Sequence, residues 1–146
     1  MKIAIGCDHG GYALKEHLVS VFSQQGYEFI DFGTNGPDSV DYPQFGFAVG
    51  EAVADGRCER GVVICSTGIG VSIAANKVRG VRCALCTEPY SAKMCRRHNN
   101  ANVLALGARV TGVGLAEDIL AVFLTEEHEG GRHERRVCQL DDYNGL

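Results

Sequence analysis

The chain has 146 residues, of which 45% are hydrophobic and 22% charged, with a formal net charge of −4. That length suits one domain spanning 1–146; the balance excludes a disordered chain, and the charge excludes a general positive field for nucleic acid or anionic lipid. No apolar run is long enough to span a bilayer, and the stretch before Asp8 is too short for a signal peptide, so the expected location is the cytoplasm.

Lys2 to Cys7 reads as a first strand, running into Asp8-His9-Gly10-Gly11. A helix follows with Leu14, Leu18, Val21 and Phe22 on one stripe, ended by Gly26. Tyr27 to Asp31 is a second strand, closed by the turn Asn35-Gly36-Pro37. Phe45, Ala48, Val49, Ala52 and Val53 mark the second helix. Gly61 to Cys65 is almost purely apolar, as the middle of a parallel sheet should be. It leads into Ser66-Thr67-Gly68-Ile69-Gly70 and a helix to about Asn76.

Val81 to Cys86 is the fourth expected strand. It carries the C-x-x-C pair Cys83 and Cys86, but residues three apart on a strand face opposite ways. The chain has seven Cys, an odd number scattered through buried-looking strands, which is not a disulfide framework. With no second pair and no His at ligand spacing, small buried side chains are a better account than zinc. A helix from Pro89 to about His98, a strand from Asn102 to Leu106, and a helix striped by Val113, Ala116, Ile119, Leu120, Phe123 and Leu124 follow. After a polar break, Glu126 to Gly131, the basic stretch Arg132 to Val137 is expected to be helical; residues 126–146 form a C-terminal extension of the domain.

The alternation predicts an α/β fold: a three-layer, doubly wound, Rossmann-like sheet of five parallel strands. Ligands in such folds sit where the strand order reverses, at the C-terminal strand ends. In the order 2-1-3-4-5, the loops after strands 1 and 3 lie side by side.

Those loops carry the chemistry. Cys65 ends a strand and precedes a helix N-terminus, where oriented N–H groups favour a thiolate. Most cysteines at strand ends are inert, but the glycine-rich loop beside this one shifts the balance. Gly68 and Gly70 can turn N–H groups into one concavity for an anion or developing oxyanion. The loop is not a dinucleotide fingerprint, because Ile73 stands where a third Gly is needed; nor is it a P-loop, because no Gly precedes Lys77. Val71 stands where a cysteine phosphatase has its Arg. Asp8 can accept from substrate hydroxyls and His9 can meet a phosphate, although alone they would read as a helix cap and a solvated side chain. His98 is a candidate acid/base, or simply a cation at a helix C-terminus. Arg132 and Arg136, four apart, share a helix face suited to a phosphate, or form a solvated cluster with His133 and Arg135. Taken together, these groups describe one pocket with no metal cluster and no cofactor fingerprint.

Several segments together resemble the B-type ribose-5-phosphate isomerases and the related galactose-6-phosphate isomerase subunits. They are Gly6 to Gly11, Tyr42-Pro43, Cys65 to Lys77, His98 to Asn102 and Gly107-Ala108-Arg109. The resemblance covers nearly the whole chain with its motifs in order. It implies cofactor-free interconversion of D-ribose 5-phosphate and D-ribulose 5-phosphate through an enediolate, in the pentose phosphate pathway. By resemblance, Cys65 is the base between C1 and C2, Thr67 assists it, and His98 opens the furanose ring. Asp8 holds substrate oxygens, Ser66, Gly68, Ile69 and Gly70 bind the enediolate side, and Asn99 lines the site. His9, Arg109, Arg132 and Arg136 are the phosphate-side positions. The implied partners are a small sugar phosphate and a second copy of the chain, in a homodimer or homotetramer with sites at the subunit interface. No nucleic acid or membrane partner is expected. One departure is Ser66, where the family commonly has Gly. It leaves open a six-carbon sugar such as allose or galactose 6-phosphate; a non-catalytic sugar-phosphate-binding module is a third possibility.

Overall fold

Five parallel strands make one sheet in the computed structural model, which describes residues 1–143. The strands are β1 (Lys2–Cys7), β2 (Glu28–Asp31), β3 (Arg60–Cys65), β4 (Cys83–Leu85) and β5 (Val103–Gly107). Between and after them lie α1 (Tyr12–Ser23), α2 (Pro43–Ala54), α3 (Ile69–Asn76), α4 (Pro89–Asn99), α5 (Val113–Thr125) and α6 (Arg132–Asp141). Residues 144–146 of the expected C-terminal extension lie outside the described residues. No helix among the described residues is long and apolar enough to cross a membrane.

Strand alternation builds the three layers. Ile3, Ile5, Val62, Ile64, Leu104 and Leu106 face one side, where Leu14, Leu18 and Phe22 of α1, Cys95 of α4, and Ile119, Leu120 and Phe123 of α5 meet them. Ala4, Val63, Cys65, Val103 and Ala105 face the other, against Val49 and Val53 of α2 and Val71 and Ala75 of α3. Each large side chain removed from water in this way contributes roughly 1.5–3 kcal/mol. Cys83 packs on the second face and Cys86 on the first, so the C-x-x-C pair is split by the sheet.

The sheet order is β2-β1-β3-β5-β4, which corrects the assumed order in its last two places. Burial explains the exchange. All five residues of β5 are buried, whereas β4 is three residues long and partly exposed. The expected strand from Val81 to Cys86 shrinks because its entry is taken up by side-chain bonding. Arg82 donates to both oxygens of Asp141 at 2.8 and 2.9 Å and to the carbonyls of Asn99 and Asn100. A short, polar-ended strand belongs at an edge and a fully apolar one in the middle. The reversal point still falls between β1 and β3, which pair from Ile3↔Arg60 to Cys7↔Ile64.

Candidate active site

The loops after β1 and β3 meet. The Asp8 N–H donates to the Ile64 carbonyl at 3.3 Å, and Ser66 Oγ occupies the space above Gly10, where a Cβ would come within 2.3 Å of it. Asp8 is 7% exposed. It does not cap α1, whose N-cap is Gly11 with no side-chain bond. Instead, one of its carboxylate oxygens accepts from Gly10 N at 2.9 Å, turning the loop on itself. The other takes no bond from the described residues. His9 is exposed, and its Nδ1 accepts from Val40 N at 3.2 Å.

Cys65 ends β3 almost buried, yet its sulfur has a polar neighbour. Gly68 N donates to Sγ at 3.1 Å, and Thr67 Oγ1 lies 4.0 Å from it. Gly68 is the N-cap of α3 with φ +78°, in the left-handed region. A side chain there would also strike Leu85 and the Leu106 backbone, at 2.5 and 2.9 Å. The backbone is therefore free to aim its N–H at the sulfur from the positive end of a helix. Ile69 N donates to Thr67 Oγ1 at 3.2 Å. The N–H groups of Gly70 and Val71, in the first turn of α3, have no intrahelical acceptor and remain available to an anion.

Gly70, expected to join Gly68 in forming the concavity, is helical, and a Cβ there would press within 2.8 Å of the Tyr42 ring. The concavity is thus one left-handed glycine plus a helix end, walled by Tyr42. By contrast, Cys7, last in the neighbouring strand, faces the core, and burial pushes its thiol up to about 12. Of the two strand-end sulfurs, it is that of Cys65 that takes an N–H from the glycine-rich loop.

Arg109 also joins this end. Ala108 N and Arg109 N donate to the carbonyls of Cys65 and Ser66, at 2.9 and 3.0 Å, so the loop after β5 is zipped to the loop after β3.

The remaining candidates are elsewhere. His98 and Asn99 close α4, and α4 runs antiparallel to the strands, so they lie at the N-terminal edge of the sheet. β3 and β5 pair from Gly61↔Val103 to Cys65↔Gly107; that length of strand, at about 3.3 Å per residue, separates the two ends by roughly 13 Å. Arg132 and Arg136 share an exposed face of α6, as their spacing predicts, but α6 packs on α4, at the His98 end. The single pocket expected from the sequence is therefore divided in one chain. Asp8, His9, Cys65, Ser66, Thr67, Gly68, Ile69, Gly70 and Arg109 share one end; His98, Asn99, Arg132 and Arg136 share the other.

Two residues at the second end were not picked out as partners of His98. The His133 ring stacks on that of His98, with centroids 4.1 Å apart and planes 5° from parallel. Glu129 Oε2 faces both imidazoles, at 3.9 Å from His98 Nε2 and 3.7 Å from His133 Nε2. In the sequence, His133 is hidden in a basic run and Glu129 in a polar break. A cavity of about 360 Å³ lies on this side too, along the start of β4, with Asn99 on its lining.

Comparison with known proteins finds relatives over nearly the whole chain. Residues 3–140 match the family model described as Ribose/Galactose Isomerase. Ribose-5-phosphate isomerase B of Escherichia coli is 49% identical over 93% of this chain and 91% of its own. The galactose-6-phosphate isomerase subunit LacB of Clostridium acetobutylicum is 39% identical, over 95% of this chain and 80% of its own. The solved structure of Clostridium thermocellum ribose-5-phosphate isomerase B superposes with a TM-score of 0.96 at 57% identity, covering 97% of this chain and 96% of that one.

Proposed function

The chain belongs to the ribose/galactose isomerase family and is a sugar-phosphate isomerase; from that premise we propose that it interconverts D-ribose 5-phosphate and D-ribulose 5-phosphate. The observation that carries the reading is the sulfur of Cys65 under the Gly68 N–H, beside the Asp8 loop at the reversal of the sheet.

On this reading Cys65 takes the proton from C2 of the open-chain aldose and returns it at C1. The negative charge that builds on the O1–O2 side meets the free N–H groups at the start of α3. One such donor is typically worth about 3 kcal/mol in the transition state. Asp8 accepts from a sugar hydroxyl with its unoccupied oxygen, and Thr67 orders the loop next to the sulfur. The phosphate is held away from the reacting carbons by His9 and Arg109, with Arg132 and Arg136, so that remote binding energy aligns C1 and C2 over Cys65. His98, with Asn99 beside it, opens the ring. Because His98 and the two α6 arginines lie at the far end of their own chain, the complete site needs a second copy, whose far end meets the Cys65 end of the first. This is the reason to expect at least a homodimer.

The similarity to ribose-5-phosphate isomerases supports a pentose. Ser66, whose Oγ lies over Gly10 next to Asp8, is the departure that leaves a six-carbon sugar open. The second reading is a six-carbon sugar phosphate, favoured by the similarity to the galactose-6-phosphate isomerase subunit. Ketose formation from ribose, allose and galactose phosphates, followed with a chelator present, separates the two. The expected result is the highest kcat/KM for ribose 5-phosphate and a loss of about 10²–10⁴-fold in Cys65→Ala. Undiminished turnover in that variant removes the assigned base, and preference for a hexose phosphate removes the pentose.

A further inference from the structure

Resting on the isomerase reading, we propose that His133, together with Glu129, is a positioning residue for ring opening: it sets the plane of the His98 imidazole and couples it to Arg132 on the phosphate side.

His98 sits in the last turn of α4, where only two torsions hold an imidazole that is about two-fifths exposed. A general acid so placed wanders unless something packs on its face. His133 supplies that face. It is the second residue of α6 and points inward while Arg132, Glu134, Arg135 and Arg136 point out. Its parallel stack on His98 leaves His98 free to turn only within the plane of the ring. The turn that brings it there is built for the purpose: Gly130 and Gly131 both have positive φ, 69° and 59°. Glu129 N donates to the Arg97 carbonyl at 3.0 Å. His128 bonds the same carbonyl and Glu134, which ties α6 to the end of α4.

The charges around the pair are specific. Arg97 of α4 approaches Glu129 at 3.7 Å. Glu129 faces both ring Nε2 atoms, and Arg132 and Arg136 flank His133 from α6. Arg132 Nε–H donates to His133 Nε2 at 3.5 Å, which makes that nitrogen an acceptor and leaves the ring proton on Nδ1. Burial, then the positive neighbours His98 and Arg132, hold the His133 pKa below the ordinary histidine value. A neutral His133 can therefore stack on His98 in either protonation state, with Glu129 as counter-charge when His98 carries the proton.

The same three groups, within 4.8 Å of one another, have the composition of a metal site. Their geometry does not suit one: a metal–imidazole bond lies in the ring plane, and two parallel rings cannot both aim at one ion.

Ring opening is neutral overall. The C1–O4 bond breaks, O4 gains a proton as the acid gives it up, and the C1 hydroxyl loses one as the carbonyl forms. The ketose needs no such step, because its O5 carries the phosphate and no five-membered ring can close.

Two assays on the full-length protein exploit this difference: net conversion of ribose 5-phosphate, and exchange of the C1 hydrogen of ribulose 5-phosphate with D2O, followed by NMR. For His133→Ala, conversion is expected to fall about tenfold or more while exchange stays within about threefold of wild type. His133→Phe restores the stack but not the acceptor for Arg132. It should recover most of kcat and keep a raised KM for ribose 5-phosphate. Melting temperatures accompany both variants. The proposal is overturned if both assays fall together in His133→Ala, if neither falls, or if Phe rescues nothing. Absence of both activities in the wild-type protein instead sinks the pentose reading on which the proposal stands, and is distinguishable for that reason.

Discussion

Gly68 shows how much chemistry one missing side chain carries. Its positive φ and the contacts its Cβ would make lie directly beneath the N–H that reaches Cys65. Gly68→Ala is expected to cost about 2 kcal/mol or more in stability, from strain in the left-handed region plus the clash. It should also lower kcat by at least about tenfold, because the donor leaves the sulfur. Denaturant midpoints together with turnover would check both. A variant with normal kcat at lowered stability would separate the turn from the catalysis. Cys65 through Gly70 was legible in the sequence because its geometry is local: a strand end, a glycine, a helix start. Asp8 was not fully legible. An Asp before a helix suggests a cap, and only the tight Gly10–Gly11 turn shows the carboxylate folded inward.

In α1 the apolar stripe is broken at its centre by a charge. Lys15 is fully buried among Leu14, Leu18 and Phe22. Its ammonium bonds Asp31 at the end of β2, Glu16, and the carbonyl of Thr34. Burial opposes the charge, but the bonds to Asp31 and Glu16 outweigh it and raise the lysine pKa above its ordinary 10.5. A raised folded value means the contribution is present in full below the ordinary titration and is lost as pH climbs through the folded one. Lys15→Met should therefore lower stability by about 2 kcal/mol at pH 7, less than a fully buried pair because Asp31 is partly exposed. The gap to wild type should persist at pH 6 and 8 and narrow only above about pH 10.5. Thermal melts across that range test the sign; a gap that closes toward acid contradicts it. The stripe itself was readable from spacing, whereas its charged member was not, since its partner lies on another element. The order of β4 and β5 was missed for a similar reason. Edge and centre differ in burial more than in pattern, and Arg82 was the one sign of an edge.

Across the whole chain, the decisive feature is the distance between the two ends of the sheet. Every helix that returns to a parallel strand leaves its C-terminus at the opposite edge from that strand's active end. His98 therefore cannot reach Cys65 within one chain, however the side chains turn. A mixing experiment tests the consequence. Cys65→Ala and His98→Asn proteins should each be nearly inactive. After subunit exchange, half the dimers would be mixed, each with one intact site, and about a quarter of wild-type activity should return. A mixture that stays inactive after verified exchange places both groups in one chain and removes the two-copy site.

Periodicity and local punctuation sufficed for the class of fold, ten of the eleven elements among the described residues to within a few residues of their ends, and the Cys65 loop, because each depends on neighbours along the chain. Which strand lies at an edge, which ring stacks on His98, and the separation of the candidate residues into two ends are set by contacts between segments far apart in sequence. No local spacing encodes them. Stacking of His133 on His98 joins residues 35 positions apart, and it exists only because α6 folds back onto the end of α4.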